Sequence, residues 1–423
     1  MKRIKVLWLC DLVLPDFSQE FGIKRNPIGG WMTGMLYALK DMEKTDISLC
    51  FPIYDKKRMR NGVCAGYDYY TFLCNLEAET YDQEMIVAFE RILEQSRPDI
   101  VHIWGTEYPH TAAMLHACKR KNLLSRVVIN IQGLVSVYAR HFLAGIPDMY
   151  KTMKYEGEKS IEEEERLFEK HGECEIESLK MISHVIGRTD WDKACVEAVD
   201  PYIQYHYCDE ILRDAFYENA GRWGYGGCQK HSIFVSQAFY PIKGFHYLLE
   251  ALPIVIKKYP DTHVFVAGKN IFATEKKSPY ARYIEMLMEQ WDLTGHISFL
   301  GKLDEKEMVE RYLRANVYVL ASTAENSPNS LNEAMLLGTP SIASYVGGSG
   351  NRLESHKEGY LYPYDEPALL AYYICMVFEN KDGICESFSA KASAKMSRLI
   401  DPKINVEKNL AIYDKILQSG SIT

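Results

Sequence analysis

Glu325 and Glu333 bracket the run N-S-P-N-S-L-N, so that two carboxylates lie either side of a helix-start pattern, a serine, a proline and an asparagine before an apolar stretch. Backbone amides at such a start favour an anion, and carboxylates set around it would flank a phosphate site without crowding it. The plainer reading of the same spacing is a pair of solvated surface acids. Gly29-Gly30 precede another helical pattern, where the pair could admit a ligand to the backbone or simply form a tight turn. His102 opens H-I-W-G-T-E-Y-P-H at a strand end, where an imidazole could bind an acceptor or carry a proton, or else serve the core. Arg188 follows a further strand and could hold an anion or pair with a glutamate. Lys56, Lys57, Arg58 and Arg60, with Tyr67, Tyr69, Tyr70 and Phe72 close behind, could meet anionic lipid headgroups or a sugar; a solvated loop and strand is the simpler reading.

The elements that must position these residues follow from periodicity. Residues 315–322 and 339–345 are short, apolar, β-branched runs of the kind buried on both faces of a parallel sheet. Between them Ser327 can cap a helix, Pro328 suits its first position, and Gly338 and Pro340 close it. Leu331, Ala334 and Met335 share the core face, which leaves Glu333, about 200° from Leu331, pointing away from it. Both glutamates then sit at the carboxyl end of a parallel strand, where open α/β sheets bind ligands. The N-terminal half repeats the alternation, with strands at 4–9, 47–51, 100–104, 127–131 and 184–186 and a loop at 15–27 leading to a helix at 31–42. An acidic helix begins at 162–165, and 134–155 lacks clean periodicity. Glycines 221, 224, 226 and 227 mark a linker, after which strands at 232–236, 264–267 and 297–300 and a closing helix at 406–417 follow.

A chain of 423 residues, 47% hydrophobic, suits two domains, here 1–218 and 231–404, joined by 219–230 and followed by 405–423. The net charge of −8 argues against a general nucleic-acid binder. Eleven cysteines with no C-x-x-C pair and no histidine cluster point to reduced thiols rather than a disulfide or zinc framework, hence to a cytoplasmic protein. The basic N-terminus is interrupted by Lys5 and Asp11 and reads as a strand rather than a leader. No apolar run reaches the ~20 residues of a membrane span, so any membrane contact would be peripheral.

Glu325, Glu333, Ala334-Met335 and Gly338-x-Pro340, extending through Gly347-Gly348 and the stretch 354–359, resemble the hallmark of family-4 glycosyltransferases. That resemblance implies the GT-B fold, two doubly wound Rossmann-like domains facing across a cleft, and transfer with retention. It implies that Glu325 contacts the donor sugar, that Glu333 holds the ribose, and that amides of Asn329, Ser330 and Leu331 bind the diphosphate. Gly29-Gly30 correspond to a glycine pair facing the diphosphate, and Lys243-Gly244 to a phosphate-binding lysine. Two positions depart from the pattern. Gln237 stands where an arginine is usual, with Arg188 or Lys269 as compensating cations, and Gln132 replaces a histidine near the donor sugar. Backbone beside Gly268 and Gly301 resembles the nucleobase pocket.

The implied function is transfer of a sugar from a nucleotide diphosphate donor, a UDP-sugar by analogy, to a glycan or lipid-linked acceptor in cell-surface polysaccharide or glycoconjugate synthesis. His102, Gln132 and Arg188 are the candidate cleft and acceptor residues. With no Asp-x-Asp element, the expectation is no metal and no cofactor. The rivals are a non-catalytic nucleotide-sugar or glycan-binding protein and another GT-B enzyme such as an epimerase.

Overall fold

In the computed structural model, residues 3–23, 29–154, 157–273 and 277–419 are described. The end of the 15–27 loop and residue 155 of the 134–155 stretch lie outside them. Contacts divide the chain into one unit of Met1–Ala139, Leu167–Arg213 and Ile400–Thr423, and a second of Arg140–Arg166 and Asp214–Leu399.

The first unit holds strands Ile4–Leu9 (β1), Thr45–Ile53 (β2), Asn61–Cys64 (β3), Tyr67–Leu73 (β4), Ile100–Trp104 (β5), Val127–Asn130 (β6), His184–Gly187 (β7) and Gln204–Tyr207 (β8). Their order is β3-β4-β2-β1-β5-β6-β7-β8, parallel throughout except for the β3/β4 hairpin. The basic 56–60 stretch leads into that hairpin at the sheet's edge, and its lysines and arginines are exposed. Side-chain alternation sorts β5 cleanly. Val101 and Ile103 join an aliphatic core with Ile86, Phe89, Met114 and Leu115, while His102 and Trp104 turn to the opposite face and stack 4.7 Å apart. On that face the closing helix Pro402–Ser419 supplies Tyr413, whose hydroxyl receives the Trp8 indole N–H at 3.2 Å and lies 2.7 Å from His102 Nδ1.

The second unit holds Ser232–Val235 (β9), His263–Ala267 (β10), Ile297–Gly301 (β11), Val317–Leu320 (β12), Ser341–Ser344 (β13) and Gly359–Tyr362 (β14). All six are parallel, in the order β11-β10-β9-β12-β13-β14. Chain direction across the sheet reverses between β9 and β12, and in the first sheet between β1 and β5. In open α/β sheets the crevice at the carboxyl ends of such strands is where ligands bind.

Two segments go elsewhere than the sequence suggests. The glycine-rich 219–230 stretch is tied along the second unit: the amides of Gly221, Trp223 and Gln229 donate to the carbonyls of Leu336, Leu337 and Arg314 at 2.9, 3.0 and 2.8 Å. Trp223, buried with its indole N–H on Ala315 O at 2.8 Å, anchors it. Residues 140–166 also pack within the second unit. His246 Nε2 donates to Ala144 O at 3.1 Å, Tyr283 OH to Gly145 O at 3.2 Å, and Thr323 Oγ1 to His141 O at 3.1 Å. Side chains of the second unit thus hold the backbone of this stretch, which no local period of its own sequence announces.

Candidate functional site

At the reversal of the second sheet, the loop after β9 carries Lys243 and the loop after β12 carries Glu325. Lys243 Nζ lies 2.5 Å from Glu325 Oε1, and Ser322 Oγ donates to the same oxygen at 2.8 Å. Both residues are largely buried. Burial works against the ammonium charge, but the adjacent Glu325 carboxylate outweighs it and the lysine pKa is raised above its ordinary value. The Glu325 carbonyl accepts the Gly348 amide at 3.1 Å, which fixes the loop to the following β13 connection. A cavity of about 20 Å3 adjoins the pair, with Ser236, Gln237, Lys243, Ser322 and Ser330 in its wall. The structure therefore gathers Gln237, Lys243, Glu325 and Ser330 in one place.

Gly244 is what lets Lys243 approach. Its φ is +62°, and a Cβ there would lie 1.9 Å from the Ala321 carbonyl oxygen, a backbone atom that cannot step aside. Gly244→Ala is expected to cost about 3 kcal/mol or more, through the positive φ and the clash together. Urea denaturation of the variant measures it; a change under about 1 kcal/mol would show that the two loops separate freely.

The helix after β12 runs Asn329–Leu337, with Pro328 rather than Ser327 at the cap and no side-chain cap. This corrects the expected start: Ser327 Oγ is buried with no hydrogen-bond partner. The Leu331 amide bonds the Pro328 carbonyl at 3.0 Å, so of the three expected phosphate donors it is already engaged. Ser330 is pinned by two tyrosines, accepting Tyr312 OH at its carbonyl at 3.0 Å and Tyr318 OH at Oγ at 2.8 Å. Glu333 is not the solvated acid that a helix face turned from the core would carry. It is 8% exposed, and Tyr312 OH donates to Oε2 at 3.1 Å. The helices Glu305–Arg314 and Ile384–Leu399 pack on this helix and cover the side that would otherwise face water.

In the first unit the candidates separate. Gly29 has φ +92° and begins the helix Gly30–Asp41; its added Cβ would meet Leu12 Cδ1 at 2.8 Å, and that of Gly30 would meet Arg213 Cδ at 2.5 Å. Arg213, beside the helix start, is a cation the sequence reading passed over, since nothing in its local pattern marks it. His102 is wholly buried, and burial holds its pKa down to about 3. It is a core histidine on Tyr413, not a proton carrier. Arg188 is likewise buried, with Nη1 2.5 Å from Glu210 Oε2 and Nη2 donating to the carbonyls of Ile131 and Gln132 at 2.9 and 3.2 Å. It holds the end of β6 in place, and the ion-pair reading is the one observed. Gln132 Nε2 donates to Asn130 Oδ1 at 2.9 Å.

Two carboxyls to which the sequence reading gave no chemistry stand at the first sheet's reversal. Asp11 follows β1 and Glu107 follows β5, where Glu107 accepts the amides of Thr106 and Gly133, both at 2.7 Å. Burial pushes Glu107 up to about 7 against those hydrogen bonds, and burial followed by the Glu107 charge pushes Asp11 up to about 8. A lone acid after a strand has no signature in one sequence. A carboxyl whose pKa is raised on folding favours the native state below its unfolded value near 4, and that contribution is lost as pH rises through the folded value. Stability of the first unit is therefore expected to fall between pH 5 and 8, and Asp11→Asn to flatten that dependence by up to one proton. Denaturation at several pH values reads the slope directly; an unaltered slope would place the Asp11 carboxyl in water.

Among the described residues no group of three or more His, Cys, Asp or Glu side chains could hold a metal, and no helix is long and apolar enough to cross a membrane. All eleven cysteines are free thiols.

Comparison with known proteins bears on the second unit most directly. Residues 228–395 match the family described as glycosyl transferases group 1. Phosphatidyl-myo-inositol mannosyltransferase of Mycobacterium tuberculosis is 29% identical over 213 residues, covering 49% of this chain and 53% of that protein. The chain thus spans about half the length of such curated relatives. Sucrose-phosphate synthase from Thermosynechococcus elongatus superposes with a TM-score of 0.73 at 15% identity, over 99% of this chain and 100% of that one. Anabaena HepE, solved with UDP and glucose, gives 0.66 at 13% identity, over 97% and 100%. These likenesses establish the architecture of both sheets as GT-B.

Proposed function

We propose that this protein, whose residues 228–395 match the glycosyl transferases group 1 and whose fold is GT-B, transfers a sugar from a nucleoside diphosphate donor to a hydroxyl of a glycan or lipid-linked acceptor, with retention at the anomeric carbon and without a metal. The observation that carries the reading is the Lys243–Glu325 pair at the reversal of the second sheet, beside the start of helix Asn329–Leu337. Charge accumulates on the departing diphosphate, and an ammonium with oriented amides stabilises it; preorganised donors of this kind are often worth ~3 kcal/mol each. Glu325 opposes the positive charge that grows on the sugar carbon, and Glu333, oriented by Tyr312, accepts hydrogen bonds from the ribose. Its buried position suits a role that needs a fixed carboxylate. The UDP-bound state of one structural neighbour supports a UDP-sugar, and the name of the mannosyltransferase supports a lipid-linked acceptor. A place in cell-surface glycoconjugate synthesis follows from that acceptor class, with the protein in the cytoplasm and touching the membrane only peripherally.

The test is release of nucleoside diphosphate from UDP-, GDP- and ADP-sugars with and without an acceptor panel, in the presence of EDTA, with product anomers assigned by NMR. Acceptor-dependent release with retained configuration is the expected result. Donor binding at ~100 times its dissociation constant should also add ~2.7 kcal/mol of stability. Binding of nucleotide sugar without turnover over the whole panel would favour a non-catalytic binding protein, and turnover without an acceptor an epimerase.

A further inference from the structure

Four adjacent strands of the first sheet, β4-β2-β1-β5, end beside one another, and the residues that leave those ends have no part in the donor site. The Cys10 amide donates to Cys50 O at 3.0 Å and the Cys74 amide to Ile53 O at 2.8 Å, which ties the ends together just where Asp11, Tyr54 and Cys74 emerge. Glu107 and Tyr108 follow β5. The charges of Asp11 and Glu107 both reach the Tyr108 hydroxyl, and that of Asp11 reaches Tyr54. Tyr54 is 59% exposed, and Tyr108 is stacked on His110 with ring centroids 5.6 Å apart. Two polar atoms here stand without a hydrogen-bond partner: Asp11 Oδ1, and Nδ1 of His110, which is 3% exposed. Glu107 by contrast is fixed by the amides of Thr106 and Gly133. The Arg188 charge that reaches Glu107 is already matched by Glu210, so the crevice carries net negative charge. Aromatic rings set beside fixed hydrogen-bond acceptors suit a sugar, whose hydroxyls donate to the acceptors while its C–H face lies on a ring. The same acids repel a phosphate.

We propose that Asp11, Tyr54 and Tyr108 form a subsite for an uncharged sugar ring of the acceptor, and that the Asp11 and Glu107 carboxyls exclude a ring that carries phosphate. The proposal rests on the transferase reading above and narrows its acceptor class. A lipid-linked acceptor would then keep its phosphate beyond the ring held here.

The experiment is saturation-transfer NMR of wild-type protein, Tyr54→Ala and Asp11→Asn with methyl α-mannoside, methyl α-glucoside, mannose 6-phosphate and glucose 6-phosphate, and with UDP, GDP and ADP in parallel samples. Tyr54 is exposed, so its replacement is not expected to disturb folding, and melting temperatures check both variants. Wild-type protein is expected to saturate at least one methyl glycoside and to give about tenfold less signal on the 6-phosphates, because like charges repel strongly where water is partly excluded. Tyr54→Ala is expected to lower the glycoside signal about fivefold through the lost ring face. Asp11→Asn keeps the shape and a hydrogen-bond acceptor, so the glycoside signal should survive while the 6-phosphates gain several-fold. Equal signals from glycosides and 6-phosphates in wild type, a ratio untouched by Asp11→Asn, a glycoside signal untouched by Tyr54→Ala, or no glycoside signal at all overturns the proposal. Where a diphosphate still binds, the donor-site reading survives that failure. Absence of signal from all three diphosphates overturns the donor-site reading, and the acceptor assignment with it.

Discussion

Glu325→Gln is expected to lower turnover by about two orders of magnitude while leaving affinity for the nucleoside diphosphate unchanged or slightly raised. The substitution keeps the shape of the loop and removes the negative charge that opposes the growing positive charge on the sugar, an interaction felt mainly in the transition state. It also releases Lys243 from its partner, since Glu325 Oε1 is the atom 2.5 Å from Nζ, and a freed ammonium binds phosphate at least as well as a paired one. Glu333→Gln is the contrast. Its partner Tyr312 reaches it in the resting protein, and on the proposed function its hydrogen bonds to ribose would persist in ground and transition states alike, so the donor Michaelis constant should rise while the maximal rate largely survives. Steady-state kinetics with a competent donor and acceptor separates the two. Wild-type behaviour of both variants would leave the two glutamates as structural acids only.

Lys243→Ala should have the second large effect, in two separable parts. Removing one member of a buried ion pair strands the other, and a loss of about 3–5 kcal/mol of stability is the usual size of that penalty. Turnover should also fall by about a hundredfold as the ammonium near the departing diphosphate disappears. The double variant Lys243→Met/Glu325→Gln distinguishes these parts. With no charge left to strand, it should regain most of the stability, as measured in urea, and none of the activity. If Lys243→Ala alone kept full stability, the pair would be an exposed contact of little weight, contrary to its burial.

The parts of this molecule that a sequence shows are those with a period or a fixed spacing. β1 and β5 were legible to the residue, because apolar runs of that length between polar breaks have few alternatives. The spacing of the two glutamates was legible, Lys243 came only through the family resemblance, and the fold brings Lys243 to Glu325. What stayed hidden depends on neighbours far along the chain. His102 reads equally as a reactive or as a core residue at a strand end until Tyr413, 311 positions later, is seen against it. Arg188 reads equally as an anion ligand or as one half of an ion pair until Glu210 and the carbonyls of residues 131 and 132 are found around it. Glu333 reads as a solvated acid until Tyr312, 21 positions earlier, is found against it. The error at Ser327 is of another kind: a serine before a proline satisfies the cap rule, and the chain instead lets Pro328 take that place.

Neither unit is a continuous stretch of chain, and this shapes how the protein can be made. The indole of Trp8 finds its partner on Tyr413, 405 residues later, so the first sheet leaves the ribosome long before the helix Pro402–Ser419 that covers its Trp8–His102–Trp104 face. Throughout that interval an aromatic, half-polar face stands open on a nascent chain. The second unit, apart from residues 140–166 that emerge early and wait for it, can complete its sheet first. A released chain ending after residue 399 should therefore carry a finished second unit and a first unit still sensitive to protease.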